Sequence, residues 1–267
     1  MKELLITSPA GYANRLQKAF SELEDPAAFH PVSYPMIQTE IYTDSADFQT
    51  FIQSLDQYDY VAFSSRKAIE AFASYIHEHA VALPSQLQCC AIGKDNELLT
   101  ESLHIQPAFV ADEPSPMGIV HTLQAMEGTK GRQIAVLAPE VIGMAEPHIV
   151  PDFIAALQQI GMCPSRITAY RTSAASQETL LTVRQLITQQ QVRAVVFTSG
   201  TEISVFLRTL PEDLSLAEYL KDIAVICYGP YTASCAEKLG VKVDFVSPAF
   251  GSFQQLVQQI QQYYQTK

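Results

Sequence analysis

Short apolar runs alternate along the chain with longer segments in which apolar residues recur every three or four positions. The first kind reads as buried strands and the second as amphipathic helices packed on them. Val61-Ala62-Phe63 is followed by Ser64-Ser65, then by Ala68, Ile69 and Phe72 at helical spacing. The same succession returns at Val195-Val196-Phe197, Thr198-Ser199, then Ile203 and Phe206. In both places the hydroxyl residues stand where helix N-caps belong. A second pair follows. Ala91-Ile92-Gly93 precedes a helix from Asn96 to Leu103, and Ile226-Cys227-Tyr228-Gly229 precedes one from Thr232 to Leu239 that stops at Gly240. A third pair is Phe109-Val110 before Ser115-Pro116-Met117-Gly118, and Phe245-Val246 before Phe250-Gly251-Ser252. Each of these opens another helix. The last turns Phe253, Leu256, Val257, Ile260 and Tyr264 inward.

The chain thus holds two copies of one strand–helix alternation, the pattern of parallel sheets with helices on both faces. The first copy also contains a strand at Arg132 to Leu137 and a helix from Pro151 to Ile160. The second lacks an opening strand, and Leu4 to Thr7, with a helix from Asn14 to Leu23, supplies it. The predicted fold is α/β: two flavodoxin- or Rossmann-like parallel-sheet domains, one inserted in the other. Residues 1–34 with 172–267 form the discontinuous domain and 43–165 the insert. The crossings, 35–42 and 166–171, are extended and are expected to pair as a two-stranded ladder joining the domains.

Charge follows this division. The chain has 267 residues with 17 Lys plus Arg against 28 Asp plus Glu, a net charge of −11. Residues 44–165 hold 15 acids and 5 bases, and the remainder 13 and 12, so the insert carries almost all of the excess. Two of its five bases, Arg66 and Lys67, lie at the first hydroxyl turn. So acidic a chain is a poor partner for nucleic acid or for anionic membranes. With 48% hydrophobic residues each domain can bury a core, which favours a monomer. The five cysteines form no CxxC pair, and the first residues do not read as a secretion signal. Reduced thiols and a cytoplasmic location are the expectation.

In open parallel sheets, ligands bind beyond the carboxyl ends of the strands. Those ends carry Ser64-Ser65, Gly93, Thr198-Ser199-Gly200 and Gly229-Pro230, each at a helix start. Free backbone N–H groups and the helix dipole suit such places to carboxylates and phosphates. The plainer role of each hydroxyl is that of an N-cap alone. Other chemistry finds no support: there is no GxGxxG, GxxxxGK[ST] or Gly-x-Ser-x-Gly. His77-Glu78-His79 puts its two histidines on different helix faces, which argues against a metal site.

Val195-Val196-Phe197-Thr198-Ser199, Gly229-Pro230-Tyr231-Thr232-Ala233 and Leu239-Gly240-Val241 resemble the uroporphyrinogen-III synthase family. So do Val61 to Phe72, Ile92-Gly93 and Ala169-Tyr170-Arg171-Thr172, in the family's order over nearly the whole chain. The resemblance implies two α/β domains and no metal or organic cofactor. It implies closure of linear hydroxymethylbilane, with its eight carboxylates, to uroporphyrinogen III. Ring D is inverted and water is lost through an azafulvene and a spiro intermediate. It implies a catalytic role for Tyr170. Substrate binding then falls to Ser64, Ser65, Arg66, Lys67, Gly93, Lys94, Thr198, Ser199, Gly200, Gly229, Pro230, Tyr231 and Thr232. A transient contact with porphobilinogen deaminase belongs to the same picture. The chain departs from the family pattern at Ser8, Tyr231, Asn96 and Ala138-Pro139-Glu140. These departures leave open an inactive tetrapyrrole- or polycarboxylate-binding protein of the same fold.

Overall fold

The computed structural model describes residues 3–25, 29–93, 95–113, 115–248 and 252–265. The chain divides into two compact units, Met1–Gln38 with Ser173–Lys267, and Thr39–Thr172. In chain order the elements are β1 (Glu3–Ile6), α1 (Ala10–Ser21), β2 (Pro31–Ser33), β3 (Ile37–Ile41), α2 (Ala46–Gln53) and β4 (Tyr60–Phe63). There follow α3 (Arg66–Glu78), β5 (Gln88–Ala91), α4 (Asp95–Leu103), α5 (Pro116–Ala125), β6 (Gln133–Ile142), α6 (Ile149–Gln159) and β7 (Cys163–Ala174). The last part contains α7 (Gln177–Thr188), β8 (Val192–Phe197), α8 (Gly200–Phe206), α9 (Leu216–Tyr219), β9 (Ala224–Cys227), α10 (Pro230–Lys238), β10 (Phe245–Val246) and α11 (Phe253–Gln265).

The first unit carries a parallel sheet of order β10-β9-β8-β1-β2. Counted along that unit alone, this is the doubly wound order 2-1-3-4-5, and the strand order reverses between β1 and β8. Leu4, Leu5 and Ile6 of β1 are wholly buried, as a central parallel strand requires. On one face α1 and α11 cover Leu4, Ile6, Ala194 and Val196 through Leu16, Phe20, Phe253, Leu256 and Ile260.

The second unit has a sheet of order β3-β7-β6-β4-β5, with its reversal between β4 and β6. Alternate residues of β4 enter opposite cores: Val61 and Phe63 meet Phe48, Ile69 and Phe72, while Tyr60 and Ala62 meet Ile119, Leu123 and Phe153. The same two-residue period turns Cys89 and Cys90 to opposite faces, so the adjacent thiols cannot bridge.

The expected pairing of the crossing segments takes a fuller form. Tyr42 N–H donates to Ala169 O and Ala175 N–H to Met36 O, which sets β3 and β7 antiparallel. This sheet is therefore mixed rather than purely parallel. β7 is also longer than the expected connector and lies inside the sheet, with β6 on its other side. Phe109-Val110 forms no strand; Val110 is exposed, and one bond from Ala108 N–H to Cys89 O marks the place. The segment around Phe250-Gly251 lies outside the described residues. Among the described residues no helix is long and apolar enough to cross a membrane.

Candidate functional site

Each unit gathers its polar groups where the strand order reverses, at the carboxyl ends of the two strands on either side. In the second unit those ends belong to β4 and β6. Ser64 Oγ donates to Leu137 O at 2.7 Å and so ties the end of β4 to the middle of β6, which runs on beyond it. Ser65 is the N-cap of α3: its Oγ accepts from Ala68 N–H at 3.3 Å. The same hydroxyl donates to the Tyr170 phenol oxygen on β7 at 2.8 Å. A hydroxyl has one proton, so Ser65 has none left for a ligand, whereas the phenol keeps its own. Tyr170 is only 6% exposed. Burial pushes the phenol up from its ordinary value, against the opposing pull of the serine hydrogen bonds and of the Arg166 charge. At neutral pH it is a protonated donor.

The other candidates of this unit are arranged differently from expectation. Arg66 and Lys67 both turn to Glu70 on their own helix, at 3.4 and 2.6 Å, so the one carboxylate offsets half of their charge. Gly93 has φ 51, a left-handed conformation that suits glycine, at the end of β5. Asn96 is folded back into the protein. Its Nδ2 donates to Ala91 O and Gly93 O, and its Oδ1 accepts from Ala91 N–H. It braces the turn instead of facing outward. Lys94 lies outside the described residues. His79 stacks on Tyr75 with ring centres 4.1 Å apart.

In the first unit the reversal lies between β1 and β8. Ser199 caps α8 by accepting from Glu202 N–H, and Thr232 Oγ1 donates to Thr198 O at 3.1 Å. Gly200 is sterically required, because a Cβ there would stand 2.7 Å from Cys235 Sγ on α10. Gly229 has φ 102 and leads into α10, whose first residues are Pro230 and Tyr231, the latter 54% exposed.

Glu202 is the residue that the sequence reading passed over. It is 1% exposed, and Thr7 Oγ1, Thr198 N, Thr198 Oγ1 and Ser199 Oγ lie within 3.0 Å of its carboxyl oxygens. It thereby joins the ends of β1 and β8. The signal was legible: Ser199-Gly200-Thr201-Glu202 has the spacing of a capping box. A cavity of about 510 Å³ lies at the opposite, amino edge of this sheet, among Arg193, Lys221, Ala224 and Tyr264, and takes in none of the candidates.

The comparisons agree with one another. The sequence profile described as Uroporphyrinogen-III synthase HemD matches residues 18–256. A Methanocaldococcus jannaschii protein, described as a candidate uroporphyrinogen-III synthase, is 20% identical over 241 residues, 90% of each chain. The crystal structure of a mutant Thermus thermophilus uroporphyrinogen III synthase superposes with a TM-score of 0.71 at 18% identity, covering 99% of this chain and 100% of that one. The Helicobacter pylori uroporphyrinogen-III synthetase gives 0.53 at 12% identity, covering 98% and 100%. Likeness at these identities speaks to the fold. The profile match, spanning most of the sequence, speaks to descent, and the chain belongs to the uroporphyrinogen-III synthase family.

Proposed function

We propose that the protein is an active uroporphyrinogen-III synthase, closing hydroxymethylbilane to uroporphyrinogen III with loss of water. The observation that carries this reading is the 2.8 Å hydrogen bond from Ser65 to the Tyr170 phenol oxygen. Donation into that oxygen polarises the phenol O–H, and the phenolic proton is left for another acceptor. In the proposed reaction that acceptor is the ring-A hydroxyl. The proton passes to it and the C–O bond breaks. Water leaves, and the pyrrole N–H proton lost as the azafulvene forms balances the one given.

Ring D then attacks through its substituted position, and fragmentation and reclosure of the spiro intermediate give the inverted isomer. The substrate's carboxylates supply most of the binding energy. They are met by backbone N–H groups at Gly93, Gly200, Tyr231 and Thr232, with Ser64, Thr198, Ser199, Gly229 and Pro230 shaping those turns. Ser65 serves Tyr170 rather than the substrate. Arg66 and Lys67, shared with Glu70, contribute less than free cations do. The linear substrate also closes unaided to the uninverted isomer, so the catalyst's main task is to hold its ends in one geometry.

A coupled assay tests this. Porphobilinogen deaminase generates the substrate in situ, and the isomers are separated after oxidation. Type III porphyrin is expected. Type I alone means that the chain binds without catalysing.

A further inference from the structure

The network around Glu202 has a proton count. Val196 O, Thr7 Oγ1 and Glu202 Oε2 form a row, with 2.8 Å between each pair of neighbours. Two oxygens that close need a proton between them, since otherwise their lone pairs face each other. The row has two such gaps, and the Thr7 hydroxyl supplies one proton. Glu202 is the group that can supply the second. On its other side Oε1 lies 2.5 Å from Thr198 Oγ1 and 3.0 Å from Ser199 Oγ, both able to donate to it.

We propose that Glu202 is held as an uncharged carboxylic acid that donates to Thr7, whose own proton turns to the Val196 carbonyl. We infer further that this neutrality is what allows the Thr198–Ser199 turn to receive a substrate carboxylate. Glu202 is thus a positioning residue, and its ionisation expels the ligand. The ligand half rests on the proposed function; the proton half does not.

The surroundings agree. None of the ion pairs among the described residues reaches Glu202. An isolated buried carboxylate is strongly disfavoured, and a buried acid takes up a proton instead. Burial accordingly raises the affinity of Glu202 for its proton, against four hydrogen bonds that act the other way. The titratable groups on β9 and α10 are Cys227, Tyr231, Cys235, Glu237 and Lys238; Tyr231 is exposed, and Lys238 is exposed in the last turn of α10, at the end away from Gly229. Cys227 at the end of β9 is pushed up to about 12 by burial and is a neutral thiol. Cys235 on α10 packs its sulfur toward Gly200. Glu237 on α10 acts on Cys227 and adds no positive charge. Coupling is reciprocal: a ligand anion at the turn tightens the hold of Glu202 on its proton, and the proton tightens the hold on the anion.

The test has two readouts on the full chain, each from about pH 5 to about pH 10. The first is the infrared carboxyl band of protein labelled with ¹³C-glutamate, taken as the difference between wild type and Glu202→Gln. Gln keeps the shape without the charge: its oxygen in the Oε2 position accepts from Thr198 N–H, and its NH2 in the Oε1 position donates to Thr198 Oγ1 and Ser199 Oγ. A protonated-carboxyl band is expected at neutral pH, absent from the Gln variant and lost as the pH rises. Should Glu202→Gln not fold, Thr7→Val replaces it, since loss of the acceptor shifts the band of a protonated Glu202 and leaves an ionised one without such a band.

The second readout is the affinity for uroporphyrin III. It is expected to fall by up to about tenfold per pH unit in wild type across the range where the band disappears, and to stay level in Glu202→Gln. An ionised Glu202 at neutral pH overturns the proposal. Parallel binding profiles, or no uroporphyrin III binding at any pH, overturn its ligand half. Failure of the proposed function appears elsewhere, as the absence of type III product from wild type with the carboxyl band still in place.

Discussion

Replacing Ser65 by alanine deletes one oxygen and two hydrogen bonds. The first is the cap to Ala68 N–H at 3.3 Å, and losing an N-cap of this kind costs about 1 kcal/mol. The second is the donation to Tyr170 at 2.8 Å, worth a further ~1 kcal/mol net. The second unit should therefore lose about 2 kcal/mol, which for a unit of this size lowers its melting temperature by about 6 °C. Activity should fall as well, since the phenol loses a donor that polarises it. A change of 1.4 kcal/mol in the barrier is about tenfold in kcat, and KM should move little. The decisive measurement is a double-mutant cycle in urea denaturation with Tyr170→Phe. In the Phe background the Ser65 hydroxyl has no phenol to serve, so Ser65→Ala should cost only the cap, leaving a coupling of ~1 kcal/mol. An identical cost in both backgrounds refutes the reasoning, for it means that the two side chains do not act on each other.

Further outcomes can be checked alongside. Tyr170→Phe should lower kcat by roughly 10²–10⁴-fold in the coupled assay, with the remaining product still containing the type III isomer. Gly200→Ala brings a methyl to 2.7 Å from both Cys235 Cβ and Sγ and should cost about 1–3 kcal/mol, only partly relieved in the double variant with Cys235→Ala, which keeps the Cβ. Stability should also depend on Glu202. Its folded-state pKa lies above the ordinary 4.5, so the folded chain binds the proton more tightly than the unfolded one. That contribution is fully present below the unfolded value and is lost as pH rises through the folded one. Denaturation midpoints should fall on the alkaline side in wild type and not in Glu202→Gln.

The repeated unit was legible because parallel strands buried on both faces read as unbroken apolar runs, and because serines cap the helices that follow them. Ser65 and Ser199 were found on that ground and do cap α3 and α8. In sequence, Ser165 to Arg171 reads only as a connector, since it mixes Arg166, Thr168 and Arg171 among its apolar residues. Its polar side chains find partners in the sheet: Arg166 bonds Pro139 O and Glu146, and Arg171 bonds Glu140. Phe109-Val110 misled because a two-residue apolar run carries no period. Among the candidate residues, the type of side chain was readable and the direction of its proton was not. Thr198, Ser199 and Ser65 all look outward as letters, yet in space they answer to Glu202 and Tyr170. Asn96 and Glu70 were likewise silent in one dimension, because their partners depend on which way a helix turn faces.

The interior position of β1 has a consequence in time. Its neighbour on one side, β8, stands far along the chain: Thr7 and Val196 are 189 positions apart. At ribosomal rates this interval is roughly 10 to 40 s. For that period Leu4, Leu5 and Ile6 belong to a strand that must become an interior one of its sheet while the partner does not yet exist. The intervening unit, Thr39–Thr172, is complete once β7 ends at Ala174, 18 positions before β8 begins at Val192, a lead of roughly 1 to 4 s. Newly made chains should therefore pass through a half-finished stage in which the second unit is protease-resistant and β1 is still open to chaperones. Moving β1 and α1 to follow the last helix in a permuted gene should shorten that exposure.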